Sequence, residues 1–187
     1  MGNIFAFYGP SASGKSEIQK ELANSGYPKI ITATTRSPRP HEENGVHYIF
    51  MTAAQFEHEL EAGSFIEWTQ YNGNYYGTLK SSIEEVLRHD GKAHIVLDLA
   101  GVLALKQLYS GTVAVYIGAD IETITRRLTL RGSLTEETVN RIQKAEQVEL
   151  SSAYTQHADE IVWNHDGVDF NDTMARIHQI IAAGDTP

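Results

Sequence analysis

One eight-residue run near the start of the chain limits its fold more than any other feature: Gly9-Pro10-Ser11-Ala12-Ser13-Gly14-Lys15-Ser16. It has the spacing G-x-x-x-x-G-K-[ST]. Such a run works only as a turn between a strand and a helix. Gly9 and Gly14 supply backbone angles that side chains resist. The amides of Ser11, Ala12, Ser13 and Gly14 can then converge on one anion, and the following helix adds its positive end. The flanks agree. Asn3 to Tyr8 is a short apolar and aromatic run that reads as a buried strand. Ser16 to Ser25 carries Ile18, Leu22 and Ala23 on a helical stripe that stops at Gly26 and Pro28. The loop predicts a nucleoside triphosphate site, with Lys15 reaching the β- and γ-phosphates and Ser16 ligating Mg²⁺. Alone, it does not separate a kinase from an NTPase switch or motor.

Beyond the loop, strands alternate with helices. His94 to Leu99, Val113 to Ile117 and Glu160 to Trp163 read as buried-type strands. Ser81 to Arg88, Val102 to Leu108, Ile121 to Leu130, Glu136 to Tyr154 and Phe170 to Ala183 read as helices. The alternation predicts an α/β fold with a parallel sheet flanked by helices. From about Ala33 to Thr78 it breaks down. Lys29 to Thr35, His47 to Met51 and Phe65 to Tyr71 read as short strands, Ala53 to Glu61 as a helix, and Asn72 to Tyr76 as a hairpin around NGN. This stretch predicts an inserted, mostly β lobe.

The lobe holds a second constellation. Thr32-Ala-Thr-Thr-Arg36-Ser-Pro-Arg39 is followed by Glu42, Gly45 and Tyr48, then by Phe65-Ile-Glu67-Trp68 and Asn74-Tyr75-Tyr76-Gly77-Thr78. Two arginines three apart in a proline-stiffened loop can grip one phosphate with fork-like hydrogen bonds. In this order after a phosphate loop, the motifs make the chain resemble the guanylate kinase family from about Asn3 to Ile181. The resemblance implies a P-loop nucleoside monophosphate kinase of one domain. Its core would be 1–32, 79–125 and 145–187, its NMP-binding lobe 33–78 and its helical lid 126–144. It implies transfer of a phosphoryl group from ATP, with Mg²⁺, to GMP. Arg36, Arg39, Tyr48 and Tyr76 would hold the acceptor phosphate. Glu67 would accept from the guanine ring NH and amine. Thr32 and Thr78 would face the base, Thr78 toward its keto oxygen. Tyr75 and Trp68 read as packing residues.

Arg127 and Arg131 are four apart and share a helix face, with Arg141 about three turns beyond. The resemblance makes these three the catalytic lid arginines beside Lys15, and Gly132 a hinge. The other reading is a basic face pairing with Glu122, Glu136 or Glu137, and for Arg126 it is preferred. Asp98 ends the HIVLD segment, where P-loop proteins place an acid that holds Mg²⁺ directly or through water; it is also counted with the GMP contacts. The family carries a second acid two residues on. Here that position is Ala100, and the segment to Gly101 is about two residues shorter. Ala12 stands where the family has glycine. Asn164 matches a family asparagine near the adenine end. Two other readings stay open: a related P-loop kinase with a different acceptor, and a guanylate-kinase-like protein-binding module.

Composition sharpens this picture. The net charge is -9, which excludes coating of nucleic-acid polymers or anionic membranes by overall charge. The excess acid sits in residues 145–187, which hold 8 acids and one base, Arg176. The bases are fewer, yet six of the 15 fall at predicted phosphate contacts: Lys15, Arg36, Arg39, Arg127, Arg131 and Arg141. Cysteine is absent, so disulfides, thiol catalysis and cysteine-bound zinc are excluded. The eight histidines show no metal-ligand spacing. No targeting or membrane segment is visible. The expectation is a cytoplasmic protein, monomer or homodimer, whose partners are ATP and GMP.

Overall fold

A computed structural model of the chain describes residues 3–71, 73–132 and 135–184. The first strand, β1 (Asn3–Tyr8), sets the architecture. Its side chains alternate between two cores. Ile4, Ala6 and Tyr8 join one apolar cluster, and Phe5 and Phe7 join another. A strand buried on both faces must be covered on both faces. Four parallel strands form its sheet in the order β6-β1-β7-β8, with β6 at Lys92–Val96, β7 at Thr112–Gly118 and β8 at Glu160–Trp163.

On one face pack α3 (Lys80–Asp90) and α4 (Leu99–Leu108), through Ile83, Val102 and Leu105. On the other pack α1 (Lys15–Asn24), through Ile18 and Leu22, and α8 (Phe170–Ala183), through Met174, Ile177 and Ile181. The expected parallel sheet flanked by helices is present. Its neighbours β6 and β7 lie on opposite sides of β1, so the phosphate loop leaves β1 at the crevice where such sheets bind ligands.

The second sheet has the order β3-β2-β5-β4. Its strands are β2 (Ala33–Thr34), β3 (Ile49–Phe50), β4 (Phe65–Tyr71) and β5 (Asn74–Leu79). The last two form the expected antiparallel hairpin, although Asn72 of its turn lies outside the described residues. Helix α2 (Ala53–Glu61) closes the lobe. It starts at Thr52, whose hydroxyl accepts from the Gln55 amide while the Gln55 side chain accepts from the Thr52 N–H. That reciprocal cap satisfies two otherwise orphaned donors. Its Phe56 is fully buried and stacks on Phe65 at 4.2 Å. Such burial contributes roughly 1.5–3 kcal/mol.

Three elements differ from expectation. The strand expected over Lys29 to Thr35 is divided between the sheets. The Ile30 N–H donates to the His94 carbonyl beside β6, while Ala33 and Thr34 pair with β5 and β3. The strand expected to run to Leu99 ends at Val96, and Asp98 is the N-cap of α4. The single helix expected over Glu136 to Tyr154 is broken into α6 (Glu136–Lys144), a π-turn at Ala145–Glu149 and α7 (Ser152–Thr155). The wider turn re-phases the chain. Leu150 stays with α5 (Ile121–Gly132), while Tyr154 turns to the cluster of Tyr8 and Tyr116. The break expected between α5 and α6 includes Ser133 and Leu134, which lie outside the described residues.

His94 on β6 is buried at 1% exposure, and neither ring nitrogen meets the geometry of a hydrogen bond among the described residues. Burial pulls its pKa from 6.5 to about 4; nearby Gln19 and Pro28 backbone groups offset only part of this. The folded state therefore refuses a proton that the unfolded chain accepts below pH 6.5. Stability is lost as pH falls from 6.5 toward 4, by about 2 kcal/mol at pH 5. His94→Phe is expected to remove that slope. The check is urea unfolding of both proteins at pH 7 and pH 5, read as the difference between them.

Candidate active site

Each glycine of the phosphate loop fits a space that admits no side chain. A Cβ at Gly9, whose φ is +133°, would stand 2.3 Å from the Ile117 carbonyl oxygen on β7. One at Gly14, φ +101°, would meet the Asn164 amide nitrogen at 2.3 Å. Ala12 is the one non-glycine at positive φ among the described residues, at +64°. That conformation costs about 1–2 kcal/mol. Its methyl packs with Ile124 and Leu128 of α5, and its carbonyl accepts from Arg127 Nη1 at 3.2 Å, which offsets the strain.

Lys15 opens α1 and folds its ammonium back over the loop. It donates to the carbonyls of Gly9 at 2.8 Å and Pro10 at 2.6 Å. Burial lowers its pKa to about 8, opposed by the Glu149 carboxylate and reinforced by Lys144 and Arg131. Ser11, Ala12, Lys15 and Ser16 line a cleft of about 530 Å³ whose far wall carries Arg131 and Arg141. The structure thus brings two of the three lid arginines to the loop. Arg141 also donates to Glu137 at 2.6 Å, the acid that sequence suggested as a partner. Arg127 is not among the cleft-lining residues. It bridges Asp166 and the Ala12 carbonyl, so it braces the loop from the side. Arg126 is paired as expected, but with Asp166.

In the lobe, Arg36, Arg39, Tyr48 and Tyr76 come together around an acid that sequence reasoning did not assign. Glu42 accepts from the Arg36 guanidinium at 2.9 Å and from the Arg39 backbone N–H at 2.8 Å. The Arg36 hydrogen bond, with the Arg39 backbone bond, pulls its pKa down to about 2. Arg36 lies over the Tyr48 ring at 5.5 Å, and the Tyr48 and Tyr76 rings meet edge-on at 6.3 Å. The clue was Glu42 itself, three residues after Arg39. Asp166, two residues after Asn164, was missed in the same way. Bases draw attention in a phosphate site, whereas the acids that fix them look like ordinary surface charge.

Glu67 lies directly across β4–β5 from Thr78. The fully buried Thr78 hydroxyl donates to Glu67 Oε1 at 2.6 Å. Burial and the charge of Asp98 raise the Glu67 pKa, partly offset by Thr78.

Known proteins share this fold and much of this sequence. The sequence profile described as guanylate kinase matches residues 2–184. The chain belongs to the guanylate kinase family. It is 34% identical to a guanylate kinase of Rickettsia bellii, covering 96% of this chain and 93% of the relative. It is 30% identical to one of Idiomarina loihiensis, covering 98% and 87%. The crystal structure of guanylate kinase from Anaplasma phagocytophilum superposes over all of this chain and 87% of its own, with a TM-score of 0.73 at 21% identity. A shikimate kinase from Bacteroides thetaiotaomicron shares the fold at a TM-score of 0.53.

Three residues assigned to the guanylate kinase site also hold their neighbours in place. Asn164 is buried and donates its amide to the Ser13 carbonyl at 2.9 Å. It thereby supports the phosphate loop. Thr78 gives its hydroxyl proton to Glu67, because a buried carboxylate needs a donor, and so braces that acid. Asp98 Oδ1 accepts from the Gly101 N–H at 2.8 Å, so one oxygen is held by the helix cap. The other assigned lobe residue, Thr32, is half-buried, with its carbonyl paired to Ile49. Tyr75 packs on Phe56, as expected, whereas Trp68 is 47% exposed against the Tyr75 edge.

Proposed function

We propose that this guanylate kinase transfers the γ-phosphoryl group of MgATP to GMP, giving ADP and GDP, with the residues above in defined roles. The observation that carries this reading is the pairing of two cationic sites. Lys15, Arg131 and Arg141 surround the phosphate-loop cleft, and Arg36, Tyr48 and Tyr76 cluster in the second lobe. The loop amides and Lys15 would hold the donor phosphates. Arg131 and Arg141 would neutralise charge on the group in transfer. Arg36, Arg39, Tyr48 and Tyr76 would hold the acceptor phosphate, and Glu67 the guanine NH and amine. No strong base is required, since the acceptor phosphate oxygen is already a nucleophile. Closure of the lobes would exclude water and limit ATP hydrolysis.

The donor set suits a nucleotide-borne Mg²⁺, which keeps several waters and takes one or two protein oxygens. Ser16 is exposed on the cleft wall, and Asp98 keeps its second carboxylate oxygen. Among the described residues no cluster of three or more His, Asp or Glu forms a dedicated metal cage. Ser16 and Asp98 would hold the metal, whose positive charge would offset that of the donor phosphates. Among the described residues no helix is long and apolar enough to cross a membrane.

A coupled ADP-release assay with a panel of nucleoside monophosphates tests the reading. Turnover of GMP well above AMP, CMP and UMP is expected. No turnover of GMP with good turnover of another acceptor would replace it with a different kinase. No turnover at all, with a peptide bound to the lobe, would replace it with a binding module.

A further inference from the structure

Gly101 stands at the third position of α4, inside a helix, where glycine is the weakest choice short of proline. A conformational need does not explain it, because its φ is not positive. Space does. A Cβ at Gly101 would come within 3.2 Å of Glu67 Cγ, 3.2 Å of Leu97 Cβ and 3.4 Å of Asp98 Oδ1. Two of these neighbours belong to the chain that enters the helix. The third is the stem of the acid assigned to the guanine base, on a different sheet. The first turn of α4 therefore forms a wall against Glu67, and the wall is flat because residue 101 has no side chain.

On the other side, Glu67 is fixed by the Thr78 hydroxyl at 2.6 Å. Its backbone is held in the β4–β5 ladder, where Gly77 allows so close an approach that a Cβ there would lie 2.9 Å from the Glu67 carbonyl oxygen. Thr78 sets one carboxylate oxygen, and the α4 wall sets the stem. We infer that Gly101 is a specificity-positioning residue of the acceptor site: by leaving room for the Glu67 stem, it sets where the carboxylate meets the purine edge. This rests on the reading of Glu67 as the guanine acceptor.

The test is Gly101→Ala, assayed with GMP and with inosine monophosphate, which lacks the 2-amino group. An added methyl would crowd the Glu67 stem at 3.2 Å, and the expected response is a shift of Glu67 by a few tenths of an ångström. A displacement of that size is expected to raise KM for GMP about fivefold, with KM for ATP unchanged. The preference for GMP over inosine monophosphate should narrow about threefold, since the bidentate contact is what displacement spoils. The melting temperature should stay within a few degrees of wild type, because the helix propensity of alanine offsets the crowding against Leu97 and Asp98.

Opposite outcomes overturn the inference. If KM for GMP and the preference both stay within 1.5-fold of wild type, Gly101 does not position Glu67. If the protein fails to fold, or melts lower with GMP and ATP kinetics falling together, the glycine serves the packing of Leu97 and the Asp98 cap. Wild type in the same assay separates this from the broader reading. Absence of GMP turnover there defeats the reading of function, whereas wild-type turnover with an unaffected variant defeats only the role of Gly101.

Discussion

Lys15→Met is expected to lower the rate of phosphoryl transfer by about 10³-fold while leaving the melting temperature within a few degrees of wild type. The two halves of this result have separate causes. The ammonium is buried and, among the described residues, bonded to its own loop, at the Gly9 and Pro10 carbonyls and more weakly at Ser13 Oγ. Burial holds its pKa down at about 8, so the fold gains little from keeping it charged. A methionine has a similar stem, no charge to desolvate and ordinary helix propensity at the start of α1. The rate depends on what Lys15 offers to the phosphates. A cation fixed in a dry cleft is most effective where charge moves during transfer, and its loss costs about 4 kcal/mol in the transition state. Coupled-assay kcat and calorimetric melting read the two halves. A rate within tenfold of wild type would remove Lys15 from the reaction.

The parts legible in the sequence were those governed by local pattern. β1 could be read because its run is apolar or aromatic from Ile4 to Tyr8, and both of its faces are buried. Helix α2 could be read from the local sequence, and its start agrees with the cap that Thr52 and Gln55 form within four positions. The phosphate loop could be read because its glycines answer to backbone geometry. What was not legible depends on competition between distant partners. Nothing local tells Ile30 to pair with His94 while Ala33 pairs with Gly77. Nothing local tells Asp98 to cap α4 instead of closing β6. The π-turn at Ala145–Glu149 answers to a tertiary demand, that Leu150 and Tyr154 serve different clusters. The site followed the same division. Its bases were visible as motifs, but the acids Glu42 and Asp166 acquire their meaning only once the chain has folded.

Glu67→Gln is expected to lower kcat/KM for GMP by about 10²–10³-fold, with KM for MgATP unchanged. The substitution is nearly isosteric, so the hairpin should persist, and the effect lies in donors and acceptors. In wild type Oε1 accepts from Thr78, and the carboxylate keeps lone pairs for further donors. Guanine presents two N–H donors on that edge, and an ionised carboxylate can accept both. In the variant, Thr78 still has one proton to give, and its buried hydroxyl retains the amide oxygen on its own side. The amide NH₂ is then turned toward the purine, donor against donor. The opposite flip would satisfy guanine at one point but leave the Thr78 proton unpaired, which costs about 1–3 kcal/mol. Either orientation loses, and an adenine nucleotide, with an acceptor on its ring edge, should lose less or gain. The decisive measurement is therefore the ratio of kcat/KM for GMP to that for AMP. A ratio unchanged by Glu67→Gln would remove Glu67 from base recognition, and a fall without loss of ATP affinity would place recognition in the β4–β5 hairpin.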